Sequence, residues 1–350
     1  MRKHNEHKFR LKSIDGKDVS AAWELLSGDR YDSIISDCLR IREERGLCDW
    51  AYLLMLDAMS RSLLGDGDEA TMMTAYMFSQ SGYKMRLGTD GYRLYLLFGT
   101  QHQIYGQPHF KMDGSIFYVY GGSPEGLNIA DFAYPGEQDL SLAIRTEQAF
   151  DQSSLVARSY VSGRYGTAAS CHVSESLIHF FDKYPASQLN DDPLTRWALY
   201  ANTPLSSTTK EELYRSLRTR ISGKSAPEAA DILLDFVQNA FVYGYDDQVW
   251  GGDRAFFAEE TLYYPFCDCE DRSILYSHLV RDLLGLDVVL VYYPGHLATA
   301  VKFMEPVPGD QLSLRSGLYT ICDPTYIGAP IGATMPDMDN STAKVILLGR

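Results

Sequence analysis

Cysteine is scarce in this sequence. Its six residues among 350, Cys38, Cys48, Cys171, Cys267, Cys269 and Cys322, lack the dense, even spacing of a disulfide scaffold. Reduced thiols are therefore expected, and with them a reducing compartment, the cytoplasm. Basic side chains are also in deficit: 32 Lys and Arg against 46 Asp and Glu leave a formal net charge of -14. That balance argues against nucleic acid as a partner, because affinity for a phosphate backbone comes from Lys and Arg displacing counterions. Long apolar runs are missing, so no membrane partner is expected. The first residues, MRKHNEHKFRLK, are charged throughout and hold no apolar signal-peptide core, although an exported chain relieved of its leader would read the same.

What is present, 45% hydrophobic and 22% charged residues, suits a globular protein with two or three hydrophobic cores. Between Trp50 and Gly82, DWAYLLMLDAMSRSLLG and DEATMMTAYMFSQSG carry apolar residues at helical spacing, and Ser81-Gly82 suits a C-cap. Their Met and aromatic faces read as core. After Gly82 the period becomes that of strands in YKMRLG, YRLYLLFG, QHQIYG and SIFYVYGG, broken at Asp90-Gly91, Gly106 and the hairpin signal Asp113-Gly114. DLSLAIRTEQAF and SLVARSYVSG alternate and are expected to add strands, as a small sandwich, before a Pro-, Ser- and Thr-rich linker from Asp191 to Thr209. His102, His109, His172 and His179 show no paired ligand spacing and read as structural.

Two helices follow the linker. TTKEELYRSLRTRISG repeats Leu213, Leu217 and Ile221 and stops at Gly223, while SAPEAADILLDFVQNAFVY opens on a capping box of Ser225 and Glu228 with Pro227 in its first turn. Ala230, Leu233, Leu234, Val237 and Phe241 form its apolar stripe. The expected division is 1–120, a helical cap plus an antiparallel sheet; 121–204, the β-rich segment and linker; and 205–350, the domain that carries chemistry.

In YYPFCDCEDRSILYSHLVRDLLG, residues 263–285, Ile274, Leu275, Leu279, Leu283 and Leu284 form a helical stripe ended by Gly285. The helix then begins between Asp268 and Asp271, with Cys269 in its first turn, where free N–H groups and the helix dipole favour a thiolate. Asp268, Glu270 and Asp271 oppose this by repulsion, so the sulfur needs a cationic partner. Downstream, DVVLVYYPGHLATAVKF reads as strand, Pro-Gly turn and second strand opening on His296, and LYTICDPTY places Asp323 at a strand end. The order is Cys, His, Asp: a nucleophile on a helix start, a base on one strand, and a carboxylate on the next to orient the imidazole.

The run FVQNAFVYGYDDQVWGGDRAFFAEETLYYPFCDCEDRSILYSHLVRDLLGLDVVLVYYPGHLATAVKF, followed by YTICDPTY, resembles the transglutaminase-like superfamily. Its DDQVWGG and DCED are particularly similar to the bacterial transglutaminase-like cysteine proteinases, and the match covers about the last third of the chain. The resemblance implies an α+β, papain-like or transglutaminase-like fold for 205–350, with a helix-borne Cys against an antiparallel sheet. It also implies a Cys269, His296 and Asp323 triad working through a thioester acyl-enzyme on a peptide or protein substrate. An oxyanion donor is needed too; the Cys269 backbone N–H is one candidate, and Gln238 and Trp250 are the side-chain candidates. Calcium is the cofactor the resemblance brings in, with Asp268, Glu270, Asp246 and Asp247 as hard oxygen ligands; otherwise no cofactor is expected.

Competing readings stay open. With water as second nucleophile the chain is a peptidase or amidase; with a lysine amine it is a transglutaminase. A catalytically silent member would be a binding or scaffold protein, its cleft closed by Tyr263, Tyr264 and Phe266 and its N-terminal region facing a protein partner. Zinc on Cys267, Cys269 and His278 or His296 is a weak reading, because a lone C-x-C lacks a second matched pair. Cys267, ahead of the helix, reads as a packed thiol. The acidic stretch 246–271, where it rims a cleft, would favour a cationic substrate.

Overall fold

Gly82, at a φ of 90°, is where helix gives way to sheet in the computed structural model, which describes residues 9–28, 31–122, 124, 126–130, 132–150 and 153–349. Among the described residues four helices precede it: α1 (Gly16–Leu26), α2 (Asp32–Glu44), α3 (Asp49–Leu64) and α4 (Asp68–Gln80). The strands β1 (Met85–Thr89), β2 (Leu94–Thr100), β3 (His102–Ile104), β4 (His109–Met112), β5 (Ser115–Val119) and β6 (Asn128–Ile129) follow. After them come the hairpin β7 (Leu155–Val161) and β8 (Ala168–Ser174), helix α5 (Glu175–Phe181), strand β9 (Ser187–Leu189) and helices α6 (Thr195–Ala201), α7 (Ser207–Ile221) and α8 (Ala226–Asn239). The remainder runs β10 (Val242–Tyr243), α9 (Asp246–Val249), α10 (Ala258–Tyr263), β11 (Phe266–Cys267), α11 (Cys269–Leu284), β12 (Val288–Tyr293), β13 (His296–Val301), β14 (Gln311–Leu314), β15 (Gly317–Cys322) and β16 (Lys344–Leu347). The composition is α+β, helix with antiparallel sheet. No helix among the described residues is long and apolar enough to cross a membrane.

Two compact units divide the chain, one ending at Ala143 and recovering Pro185–Asp192, the other made of Ile144–Tyr184 and everything from Pro193. In the first, an antiparallel sheet of order β4-β5-β2-β1-β6 packs on α4, whose Met72, Met73, Met77 and Phe78 are buried as core. The Asp113-Gly114 turn joins β4 to β5 with both residues at positive φ, the two-residue hairpin geometry. Across the sheet, Arg86 on β1 is only 1% exposed. It makes two hydrogen bonds to Glu137 (3.0 and 2.9 Å) and one to Asp113 (2.8 Å), and its guanidinium lies 5.1 Å over the Phe117 ring. His102 is structural: Nε2 accepts from the Leu142 N–H at 3.1 Å, and burial pushes its pKa down to about 4.

In the second unit, α7 packs on β8 and α8 on α11, and α11 lies on β12 and β13 of an antiparallel sheet of order β14-β15-β13-β12-β16. The sequence expectations for α7, α8 and α11 match these elements, including the Ser225–Glu228 capping box and a left-handed Gly285. Three expectations do not hold. DLSLAIRTEQAF forms no strand beyond an isolated bridge at Leu140. Among the described residues β7 and β8 form no sandwich; they pair only with each other and are backed by helix α7. The Asp191–Thr209 linker contains helix α6, which buries Trp197, Tyr200 and Ala201 at helical spacing; the prolines and hydroxyls at its ends hid that three-residue signal.

Removing one partner of a buried ion pair leaves the other charge uncompensated, at a cost of about 3 to 5 kcal/mol. Arg86→Met is therefore expected to lower the unfolding free energy from denaturant titration by about that amount, and Arg86→Met with Glu137→Met to recover most of it.

Candidate active site

The first turn of α11 is organised by carboxylates. Asp268 is the N-cap, its Oδ1 accepting from the Glu270 N–H at 3.0 Å and the Asp271 N–H at 3.5 Å, while Asp271 Oδ2 accepts from the Asp268 N–H at 3.0 Å. This is a reciprocal capping box built of two aspartates. Asp271 Oδ1 also accepts from the Phe256 N–H at 2.8 Å, which ties the preceding loop to the helix start. Cys269 is thereby the first helical residue, half-buried.

His296 opens β13 after a turn whose Gly295 sits at a φ of 80°. Its Nε2 and Asp323 Oδ2 are 2.8 Å apart, with both side chains buried. The other carboxylate oxygen, Oδ1, accepts from the N–H groups of Thr325 (2.9 Å) and Tyr326 (3.2 Å), so the acid cannot rotate freely. The Tyr293 ring lies nearly parallel to the imidazole at 6.2 Å. Because β15 pairs with β13 only from Thr299 onward, the β13 edge at Leu297 is left to α11. The Leu297 carbonyl accepts from Ser273 Oγ at 2.9 Å, and the Leu297 N–H acts on the Cys269 thiol in favour of its charged form. Leu297 follows His296 on β13, so thiol and imidazole belong to the same end of that strand.

The sequence set a helix start that favours a thiolate against three carboxylates that oppose it. In the structure burial pushes the Cys269 thiol up, the charges of Asp268, Glu270 and Asp271 add to it, and the Leu297 N–H only partly offsets them. Cys267 is a packed thiol as expected, buried against the Arg272 Nε–H at 3.4 Å and pushed up to about 12 by burial.

Gln238 is not available as an oxyanion donor. Its amide N–H groups serve the main-chain carbonyls of Asp323 (3.0 Å), Tyr326 (2.9 Å) and Ala329 (3.1 Å), and its Oε1 accepts from the Gly328 N–H at 3.1 Å. It holds the loop that carries Asp323. Trp250 stands in an aromatic enclosure with Phe256 and Tyr264 around the Arg254 guanidinium, 4.7 Å from the Trp250 ring. That guanidinium pairs with the buried Glu260 at 2.7 Å. Tyr264 donates to Asp182 at 2.6 Å and Tyr263 lies under Arg158 at 4.6 Å, whereas Phe266 is exposed.

Of the four expected cation ligands, Asp246 and Glu270 come together, and Asp253 joins them, with carboxylate oxygens within 4.8 Å of one another. Asp268 is spent on capping and Asp247 is exposed. Arg196 bridges the cluster, paired with Asp253 and with Glu270 at 3.2 Å. Sequence reasoning missed Asp253, Arg196 and Arg272, the last donating to the carbonyls of Gln238 and Phe241 as well as to Cys267. Only the clustering of charge along 246–272 pointed to Asp253 and Arg272; Arg196 lay in the stretch read as linker.

No protein-family model matches the chain, and no curated protein or solved structure matches it.

On α10, burial raises Glu259 and Glu260 each to about 7, against the carboxylate's usual 4.5. The folded state therefore holds these protons more tightly than the unfolded chain, a stabilisation present at low pH and lost as pH rises through about 7. His278 acts oppositely, burial lowering it to about 3, so it costs stability as pH falls below about 6.5. Thermal stability is expected to rise from pH 8 to about 6.5, and Glu259→Gln should flatten that rise, as scanning calorimetry would show.

Proposed function

We propose that the chain is a cysteine amide hydrolase of transglutaminase-like, papain-like architecture, acting on a peptide or protein segment through Cys269, His296 and Asp323. The observation that carries this reading is the buried 2.8 Å pair of His296 and Asp323, beside Leu297, whose N–H acts on the Cys269 thiol. Nε2 is committed to Asp323, so Nδ1 is the nitrogen that exchanges a proton with the sulfur. Because burial holds the thiol protonated, His296 acts as a general base during attack instead of resting beside a preformed thiolate.

Attack forms a carbon–sulfur bond and moves the carbonyl π electrons onto oxygen, while the thiol proton passes to Nδ1. Collapse expels the amine, which takes that proton, and leaves a thioester. Water, deprotonated by the same nitrogen, then releases the acid. Asp323 holds the ring in the tautomer this needs and stabilises the imidazolium. The backbone N–H of Cys269 and the positive end of α11 face the developing charge.

A calcium ion fits the donor set, three carboxylates of hard oxygen type in Asp246, Asp253 and Glu270. When bound there it would neutralise charge beside the helix start, a task Arg196 performs in the structure itself.

Two tests follow from this arrangement. Iodoacetamide labelling of Cys269, read by peptide mass spectrometry, is expected to slow by about tenfold or more in His296→Ala. It should quicken at pH 7 in Asp268→Asn, which keeps a cap-forming side chain but removes the nearest charge. Equal rates in the parent and His296→Ala would leave the domain a binding module. Calcium at millimolar level is expected to raise the melting temperature of the parent more than magnesium does, and to do nothing for Asp253→Asn.

A further inference from the structure

Attack by Cys269 puts a negative charge on the carbonyl oxygen, and with Gln238 occupied the side-chain donor for it must come from elsewhere. β10 pairs in parallel with β11, Tyr243 opposite Cys267, and paired residues project from the same face. Cys267 turns in toward Arg272, and the Tyr243 ring lies 5.4 Å from the same guanidinium. Arg272 is three residues beyond Cys269 on α11, so the two side chains share a helix face. Tyr243 thus stands against the face of α11 that presents the nucleophile.

The ribbon holding it has little freedom. Gly244 donates its N–H to the Cys267 carbonyl at 3.1 Å, and a Cβ there would come within 3.0 Å of Phe266 Cβ and 3.1 Å of Val249. The Tyr245 ring meets Tyr243 edge to face at 5.3 Å. Yet Tyr243 is 38% exposed, and its hydroxyl makes no hydrogen bond among the described residues. A seated ring with a free hydroxyl beside a nucleophile is what an arriving oxyanion needs. The hydroxyl also stays protonated at neutral pH: burial raises it, and of the neighbouring groups the Cys269 sulfur acts on it most strongly.

Given the acyl-transfer reading of Cys269, on which this rests, we propose that the Tyr243 hydroxyl donates the side-chain hydrogen bond to the oxyanion formed when Cys269 attacks. The phenol keeps its proton throughout; the thiol proton goes to His296 and from there to the leaving group.

Two reagents separate this role from a structural one. Acylation of Cys269 by p-nitrophenyl acetate passes through an oxyanion, whereas displacement of iodide from iodoacetamide does not. In the full chain, Tyr243→Phe is expected to slow acylation about tenfold to a hundredfold while alkylation changes less than about twofold. Tyr245→Phe should change neither. An equal fall in both reactions would mean that Tyr243 positions the thiol, and unchanged acylation would mean that main-chain donors suffice; either overturns the proposal. Should the parent be acylated no faster than its His296→Ala variant, the acyl-transfer reading itself fails and Tyr243 falls with it.

Discussion

The second unit depends on starting a helix in a place with almost no water. Four N–H groups at a helix start need acceptors, and at α11 the acceptors are carboxylates from the helix itself: Asp268 for Glu270 and Asp271, and Asp271 for Asp268. A buried carboxylate without such donors would be costly, so each group makes the other tolerable. The same arrangement sets the loop before it, since the remaining oxygen of Asp271 takes the Phe256 N–H and Asp246 takes that of Arg254 at 2.6 Å. Arg196, Arg254 and Arg272 then supply the counter-charge, Arg272 from beneath the helix by way of main-chain carbonyls. The position of Cys269 is a consequence of this charge balance.

Helix α8 does for the His–Asp half what the capping box does for the thiol. Its apolar stripe anchors it, and two buried polar residues on it reach outward. Asp235 accepts from Ser162 Oγ at 3.0 Å and from the Tyr165 N–H at 3.2 Å, fixing the β7–β8 turn. Gln238 fixes the chain from Asp323 to Ala329. Tyr276 on α11 donates to the Ala230 carbonyl at 3.1 Å, so the helix bearing Cys269 and the helix steadying the Asp323 loop are joined directly.

These dependencies explain what the sequence disclosed. Periodicity and caps located α3, α4, α7, α8 and α11, because amphipathic spacing and local hydrogen bonds are written in neighbouring residues. The order Cys269, His296, Asp323 was legible for the same reason, each lying at the end of a recognisable element. What Gln238 does was not, since an amide in a well-capped helix looks alike whether it faces an oxyanion or three carbonyls some 90 residues away. Helix α6 was hidden by its shortness, and the strands expected in DLSLAIRTEQAF failed because alternation only proposes an extended chain; a sheet also needs a partner edge.

The thiol is where local and tertiary reasoning conflict most sharply. A helix start lowers a thiol pKa by a limited amount, since the dipole amounts to about half a charge and fades within a turn. Against it stand burial and the charges of Asp268, Glu270 and Asp271, three of the groups that form or crowd that helix start. Burial does most to keep Cys269 neutral, and the carboxylates that place it add to that effect, Asp268 foremost. The sulfur can become a nucleophile only when the charge it gains is matched at that moment by a positive charge alongside. His296, held by Asp323 beside Leu297, is the group placed to provide it. On the proposed reading, reactivity belongs to the pair and not to the cysteine.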